Sequence, residues 1–488
     1  MASADALDAV IAQAETDRKR LDSGALGPLS LTALGIASVV GAGIFVTVGQ
    51  AAAEYAGPGV VISFILAGFG AGVTALCYAE LASMIPAAGS TYSYAYAVFG
   101  TFLAWFIGWD LLLEYLFAAS TVAVGWSGYA VDGLNTAFGI TFPHDLAAPP
   151  FGADPGIVNL PAILIVVLTT ALLAVGIEQS AKANNAIVAL KVTILVLFIG
   201  VGALYVVSNN WNPFIPGNEG GFGDFGASGV LRAAGLVFFA YVGFDAVATA
   251  SAESRDPRRT VPIGLLATVA ISTILYVGIG LVMTGMVPFD KLNVANPISA
   301  ATDAYPSLDW LGVLVDISAV IGLASTVLVT FYGQTRIFMR MGSDGMLPDR
   351  FGEISKKTST PVFATAVTAT AGAIAAGFIP LSVLGQLISI GTLLAFLIVC
   401  AGVLTLRRTR PDLERPFRVP AVWVVAPLGI VYSLALMATL PIDTWLRLLV
   451  WLVIGLVIFF TYSRTRAIKR REEVLSGARQ ISTADADA

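Results

Sequence analysis

Twelve apolar stretches, at roughly 29–53, 58–84, 95–130, 158–177, 186–208, 228–252, 262–286, 309–340, 361–379, 382–406, 421–439 and 443–463, constrain the fold before any motif is considered. Each is close to or above the ~20 residues a helix needs to cross a bilayer's hydrocarbon core. Only 12% of the 488 residues are charged, about half the share usual in soluble domains. In lipid the backbone must satisfy its own polar groups, so such spans are helices. The expectation is an all-α integral membrane protein with about twelve transmembrane helices. A membrane domain over 28–464 is flanked by tails at 1–27 and 465–488. The first 25 residues do not have the pattern of a cleavable signal.

The basic residues orient the spans, because Lys and Arg concentrate on the cytoplasmic side. With the N-terminus inside, that side holds Arg18, Lys19, Arg20, Lys182, Arg255, Arg258, Arg259, Arg336, Arg340, Arg350, Lys356, Lys357, the arginines at 407–418 and the basic residues from 464 onward. Lys191, Arg232, Lys291 and Arg447 fall elsewhere. An even span number brings the C-terminus back inside, in a multi-pass protein of the cell membrane. Loops at 131–157 and 208–227 fall outside. Cys77 and Cys400 lie within spans and read as small buried hydrophobes. His144 lies in a loop, where water solvates it.

Span 1 is interrupted by Gly41-Ala42-Gly43, and span 6 carries Gly235 and Gly243 with Asp245 inside an apolar run. Glycines weaken a helix where lipid offers no water to loose backbone groups. The two disrupted spans lie five apart. Because five is odd, a second five-helix unit would start on the opposite side of the membrane. Spans 1–5 and 6–10 then form inverted repeats, with spans 11 and 12 added. Disrupted helices at matching positions of two halves point to a binding site at the bilayer midplane.

The outer half of span 1 would present unpaired amides and the positive end of a helix dipole at Gly41, Ala42, Gly43 and Ile44, which suits a carboxylate. The outer half of span 6 would end with free carbonyls around Phe239, Ala240, Tyr241 and Val242, which suit an ammonium. Together the two breaks describe an α-amino acid.

The chain resembles the amino acid–polyamine–organocation superfamily, and most closely its cationic amino acid transporter branch of bacterial type. The resemblance rests on Gly41-Ala-Gly-Ile-Phe45, Tyr78-Ala-Glu-Leu-Ala82 with Pro86-Ala-Ala-Gly-Ser-Thr-Tyr92, Gly108-Trp-Asp-Leu-Leu-Leu-Glu-Tyr115, Phe239-Ala-Tyr-Val-Gly-Phe-Asp245, Glu253-Ser-Arg-Asp-Pro257, and Tyr332-Gly-Gln-Thr-Arg336 with Asp344-Gly-Met-Leu-Pro348. It runs from about residue 28 to 463. It implies a ten-helix inverted-repeat core, alternating access, and amino acid uptake usually coupled to protons. It also implies that the substrate binds the backbone at the broken first and sixth helices.

Ionisable residues inside spans are costly and usually face protein or a cavity. Lys191 lies in span 5 and is a candidate proton carrier or a lysine that snorkels to the headgroups. By the resemblance it stands where sodium-coupled relatives hold an ion, with Ser325 and Thr326 of span 8 nearby. Asp110 and Glu114 share a face of span 3. They are candidates for a proton site, a pocket for a cationic side chain, or a polar helix contact. Asp245 is a candidate for proton coupling, for holding the unwound segment or for gating. Glu80 and Asp316 read as structural or vestibular. The aromatics Trp105, Trp109, Tyr115 and Trp126 read mostly as packing along span 3.

There is no P-loop pattern, no zinc-spaced cysteine–histidine set and no Ser/His/Asp arrangement, so neither an ATP-driven pump nor an enzyme is expected, and no cofactor is implied. The partners are a small amino acid, protons and the bilayer, not nucleic acid. The expected activity is proton-coupled import of a small neutral amino acid such as alanine, or of a cationic one. An exchanger of the same fold and a non-transporting amino acid sensor are the alternatives.

Overall fold

The computed structural model describes residues 27–470, apart from 86–89, 153, 177–180, 250–253, 255, 356 and 359. Both tails, except residues 27 and 465–470, therefore lie outside the described residues, as do Glu253, Arg255, Lys356 and the Pro86–Gly89 part of one motif.

The described residues are helical and hold no β-strand. The main helices are α1 (Pro28–Val39), α2 (Val60–Met84), α3 (Thr101–Phe138), α4 (Leu160–Val175), α5 (Ala181–Gly202), α6 (Gly226–Val237), α7 (Pro257–Met286), α8 (Asp309–Ser343), α9 (Val362–Phe378), α10 (Leu381–Thr409), α11 (Val422–Thr439) and α12 (Ile442–Ile458). Among the described residues, eight helical segments are long and apolar enough to cross a membrane, and four shorter apolar helices accompany them. α2, with 25 residues, is about 38 Å long, enough to cross the hydrocarbon. The order is a five-helix unit used twice, α1–α5 and α6–α10, each opening with a broken helix, followed by α11 and α12.

Local chemistry sets the ends. Proline opens α1 and α7, where its missing amide costs nothing. The Asn159 side chain accepts from the Ala162 amide at 3.1 Å and caps α4. Gly139 and Gly176 stop α3 and α4 in the left-handed conformation. Two boundaries differ from the sequence expectation. The apolar stretch at 95–130 is divided at Gly100 (φ 83°), which separates a short helix, Ser90–Phe99, from α3. α3 then runs well into the expected 131–157 loop, because the next terminator is Gly139.

Long-range contacts define two faces. On the basic face, Glu80 at the end of α2 meets Arg407 of α10, Arg258 of α7 meets Glu414, and Tyr92 donates to Asp344 after α8. On the opposite face, Asn296 donates to Asp132 of α3, Ser299 donates to Asp316 of α8, and Tyr305 donates to the Met286 carbonyl at the end of α7. α12 is fastened to α3 by tryptophans. Trp109 and Trp451 each donate their indole N–H to the other's carbonyl, at 2.8 and 2.9 Å, with rings stacked at 4.6 Å. Trp105 donates to the Gly455 carbonyl, and Trp126 to Val320 of α8. The span-3 aromatics Trp105, Trp109 and Trp126 are thus helix-to-helix ties.

Candidate functional site

Both predicted interruptions are present. α1 stops at Val39, Val40 turns away from helical geometry (ψ 84°), and a π-helical turn begins at Gly43. α6 tightens into a 3₁₀ turn, Phe238–Tyr241, before Val242 becomes extended (ψ 136°) and Gly243 takes φ 101°. Only glycine enters that left-handed region freely. Here it also admits the neighbouring chain: a β-carbon on Gly243 would lie 3.0 Å from the Ser38 carbonyl oxygen.

The two breaks cross at Gly43 and Ala240. A β-carbon on Gly43 would overlap the Cα and Cβ of Ala240. At this crossing the resumed part of span 1 presents its N-terminal end and α6 its C-terminal end, so dipoles of opposite sign meet in a buried site. Gly41, Ala42, Gly43, Ile44, Phe239, Ala240 and Tyr241 are all buried.

The predicted donors are not equivalent. The Gly41 amide donates to the Val39 carbonyl at 2.9 Å, and those of Ile44 and Phe45 donate to Gly41 at 3.2 Å. The amides of Ala42 and Gly43 sit in a first turn, where no preceding turn can accept them. On the other side the Phe239 carbonyl accepts from the Val242 amide at 2.9 Å, whereas the Ala240 carbonyl accepts from the Tyr276 hydroxyl. The Tyr241 side chain points away from the break and donates to the Phe64 carbonyl of α2 at 2.9 Å.

Lys191 of α5 reaches the same break. Its Nζ donates to the Val40 carbonyl at 2.7 Å, to Ala37 at 3.4 Å and to Thr326 Oγ1 at 3.3 Å. The side chain is 2% exposed, and its ammonium lies against the break rather than at the protein surface. Its stem lies on Gly322 of α8, where a β-carbon would overlap Lys191 Cδ. The oxygens around the ammonium are neutral, and among the described residues no carboxylate pairs with it.

The acidic candidates form a second group. Asp245, just past the span-6 break, lies within electrostatic reach of Glu114, Tyr78, Tyr94 and Tyr115. Glu114 Oε2 and both oxygens of Asp110 are sealed from solvent and have no hydrogen-bond partner among the described residues. Asp110 lies against Gly391 of α10. Sequence reasoning assigned no role to Tyr276, nor to Tyr129, which donates to the Phe45 carbonyl at 2.6 Å. A tyrosine in an apolar helix looks like any packing aromatic, so no local signal marked either one.

A family model described as amino acid permease matches residues 26–462. The branched-chain amino acid permease BcaP of Bacillus subtilis (strain 168) is 44% identical over 90% of this chain and 93% of its own length. The methylthioribose transporter of the same organism is 42% identical over 91% of this chain and 94% of its own. The vacuolar cationic amino acid transporter 2 of Arabidopsis thaliana is 38% identical over 79% of this chain and 60% of its own. These relatives are transporters, not enzymes. The chain belongs to the amino acid permease family, a multi-span membrane fold of the amino acid–polyamine–organocation superfamily.

Proposed function

We propose that this protein imports an α-amino acid across the cell membrane by proton-coupled alternating access, with both termini cytoplasmic. The crossing of the two breaks at Gly43 and Ala240 carries the reading. A substrate carboxylate takes the first-turn amides of Ala42 and Gly43, and its ammonium takes the carbonyls at the end of the span-6 turn, Ala240 foremost. Ile44, Phe239 and Val327 are buried and apolar, which favours a neutral side chain such as that of alanine or a branched-chain amino acid. The likeness to branched-chain permeases supports the same class.

Lys191 is the proton carrier in this reading. Its ammonium bonds the backbone of the break itself and no anion pins its charge, so loss of a proton loosens Val40 from α5. Asp245 and Glu114 form a second acidic station beyond the span-6 break.

Thermal shift of the purified protein against the twenty amino acids identifies the ligand. Uptake of that ligand into otherwise empty proteoliposomes under an inward proton gradient tests the coupling. Accumulation that collapses with the gradient supports import. Uptake only with amino acid inside the vesicles marks an exchanger, and stabilisation without uptake marks a sensor. The 42% identity to a methylthioribose transporter supports a second reading, a neutral thioether sugar as cargo. Such a sugar has neither carboxylate nor ammonium, so its binding with none by any amino acid would replace the first reading.

A further inference from the structure

The Tyr276 hydroxyl lies 2.9 Å from the Ala240 carbonyl and 3.0 Å from the Val39 carbonyl. One phenol of α7 therefore touches both breaks. It has a single proton to donate. The Val39 carbonyl already accepts from the Gly41 amide at 2.9 Å. The Ala240 carbonyl closes a helical segment and has no following turn to serve it. The phenol proton thus belongs to Ala240, with the Val39 carbonyl standing beside it as a further acceptor. All three residues are buried, so water does not make up the shortfall. An ammonium has three protons and suits two converging carbonyls better than one hydroxyl does. To bond both, it would need the place that the phenol oxygen holds.

We propose that the Tyr276 hydroxyl is the resting occupant of the ammonium subsite and is displaced by the substrate. Displacement detaches α7 from both breaks at once, so arrival of the amino acid loosens the contact between α1, α6 and α7. Tyr276 is a positioning residue that competes with the substrate for the Ala240 carbonyl. The inference rests on the amino acid reading above.

Tyr276→Phe keeps the ring and removes the competitor. In the resting state it leaves the Ala240 carbonyl without its donor, a loss that a bound ammonium repairs. Calorimetric titration of the full chain with alanine, leucine and arginine is expected to show binding tightened by about three- to tenfold in the variant, the equivalent of one hydrogen bond. Unchanged or weaker binding overturns the proposal. As a check that needs no folded Tyr276→Phe protein, 3-fluorotyrosine at position 276 of the otherwise unaltered chain is expected to shift its fluorine resonance when the amino acid saturates the site. An unmoved resonance overturns the proposal as well. If the unaltered protein binds none of the twenty amino acids in the thermal-shift screen, the amino acid reading itself falls, and this inference with it.

Discussion

Gly43 and Ala240 lie in direct backbone contact, with no room for a β-carbon on the glycine. Two helices that stop in mid-span thereby bring an N-terminal and a C-terminal end to one buried point. Glycine here serves close approach rather than an unusual φ, as small residues do where membrane helices cross.

The first prediction follows from that contact. Gly43→Val separates the breaks and crowds the Ala42 and Gly43 amides. Overpacking of this kind costs about 1–3 kcal/mol, so the protein should still fold, at a lowered melting temperature. Amino acid binding should fall by tenfold or more, read by titration of the purified variant. Normal affinity would show that the carboxylate lies elsewhere.

The second concerns Lys191. Lys191→Ala should abolish accumulation driven by a proton gradient while the amino acid still binds, as measured by uptake and by thermal shift on the same preparation. Gly322→Val should do the same in weaker form, because the new side chain displaces the lysine stem from α8 without removing the ammonium. Accumulation at the unaltered rate in Lys191→Ala would rule out the carrier role.

How far the site could be read from the sequence depends on the distance over which each residue acts. Gly41-Ala-Gly43 was legible because two glycines in an apolar helix are a local anomaly, and Gly243 with Asp245 likewise. Thr326 was reached only through family resemblance. Tyr276 was missed because its meaning depends on Val39, 237 residues earlier, and on the Ala240 carbonyl, which becomes available only once α6 breaks. The division at Gly100 was missed for a related reason. Its flanks are equally apolar, and hydropathy does not register a left-handed φ. Glu80 read as structural or vestibular, but nothing near it in sequence named its partner Arg407, 327 residues away.

That pair supplies the third prediction. Glu80 is buried, accepts a two-pronged contact from Arg407 at 2.8 and 2.7 Å, and accepts the Val419 amide at 2.7 Å. Arg415 lies 3.5 Å away and bonds the carbonyls of Leu406, Arg410 and Leu413. Removing one partner of a buried pair leaves the other uncompensated, at about 3–5 kcal/mol. Glu80→Ala should therefore lower the melting temperature far more than Arg258→Ala, which breaks an exposed pair with Glu414 worth about 0–1 kcal/mol. Equal effects of the two changes, measured by thermal unfolding in detergent, would reject the clamp.

A last prediction uses the loop between α7 and α8. Asp303 ends the short helix Pro297–Asp303; its side chain is exposed, but partial desolvation by the surrounding loop and the charges of Asp132 and Asp309 push its carboxyl up to about 6. An acid whose folded-state pKa lies above its ordinary value of 3.8 opposes folding once it ionises. The penalty is absent below about pH 4, grows as the pH rises toward 6 and is complete above that. Asp303→Asn removes the charge and should raise the melting temperature at pH 7.5 while leaving it unchanged at pH 4. A gain of the same size at both values would point to packing by the amide instead, and no gain at pH 7.5 would mean that Asp303 ionises there without cost to the fold.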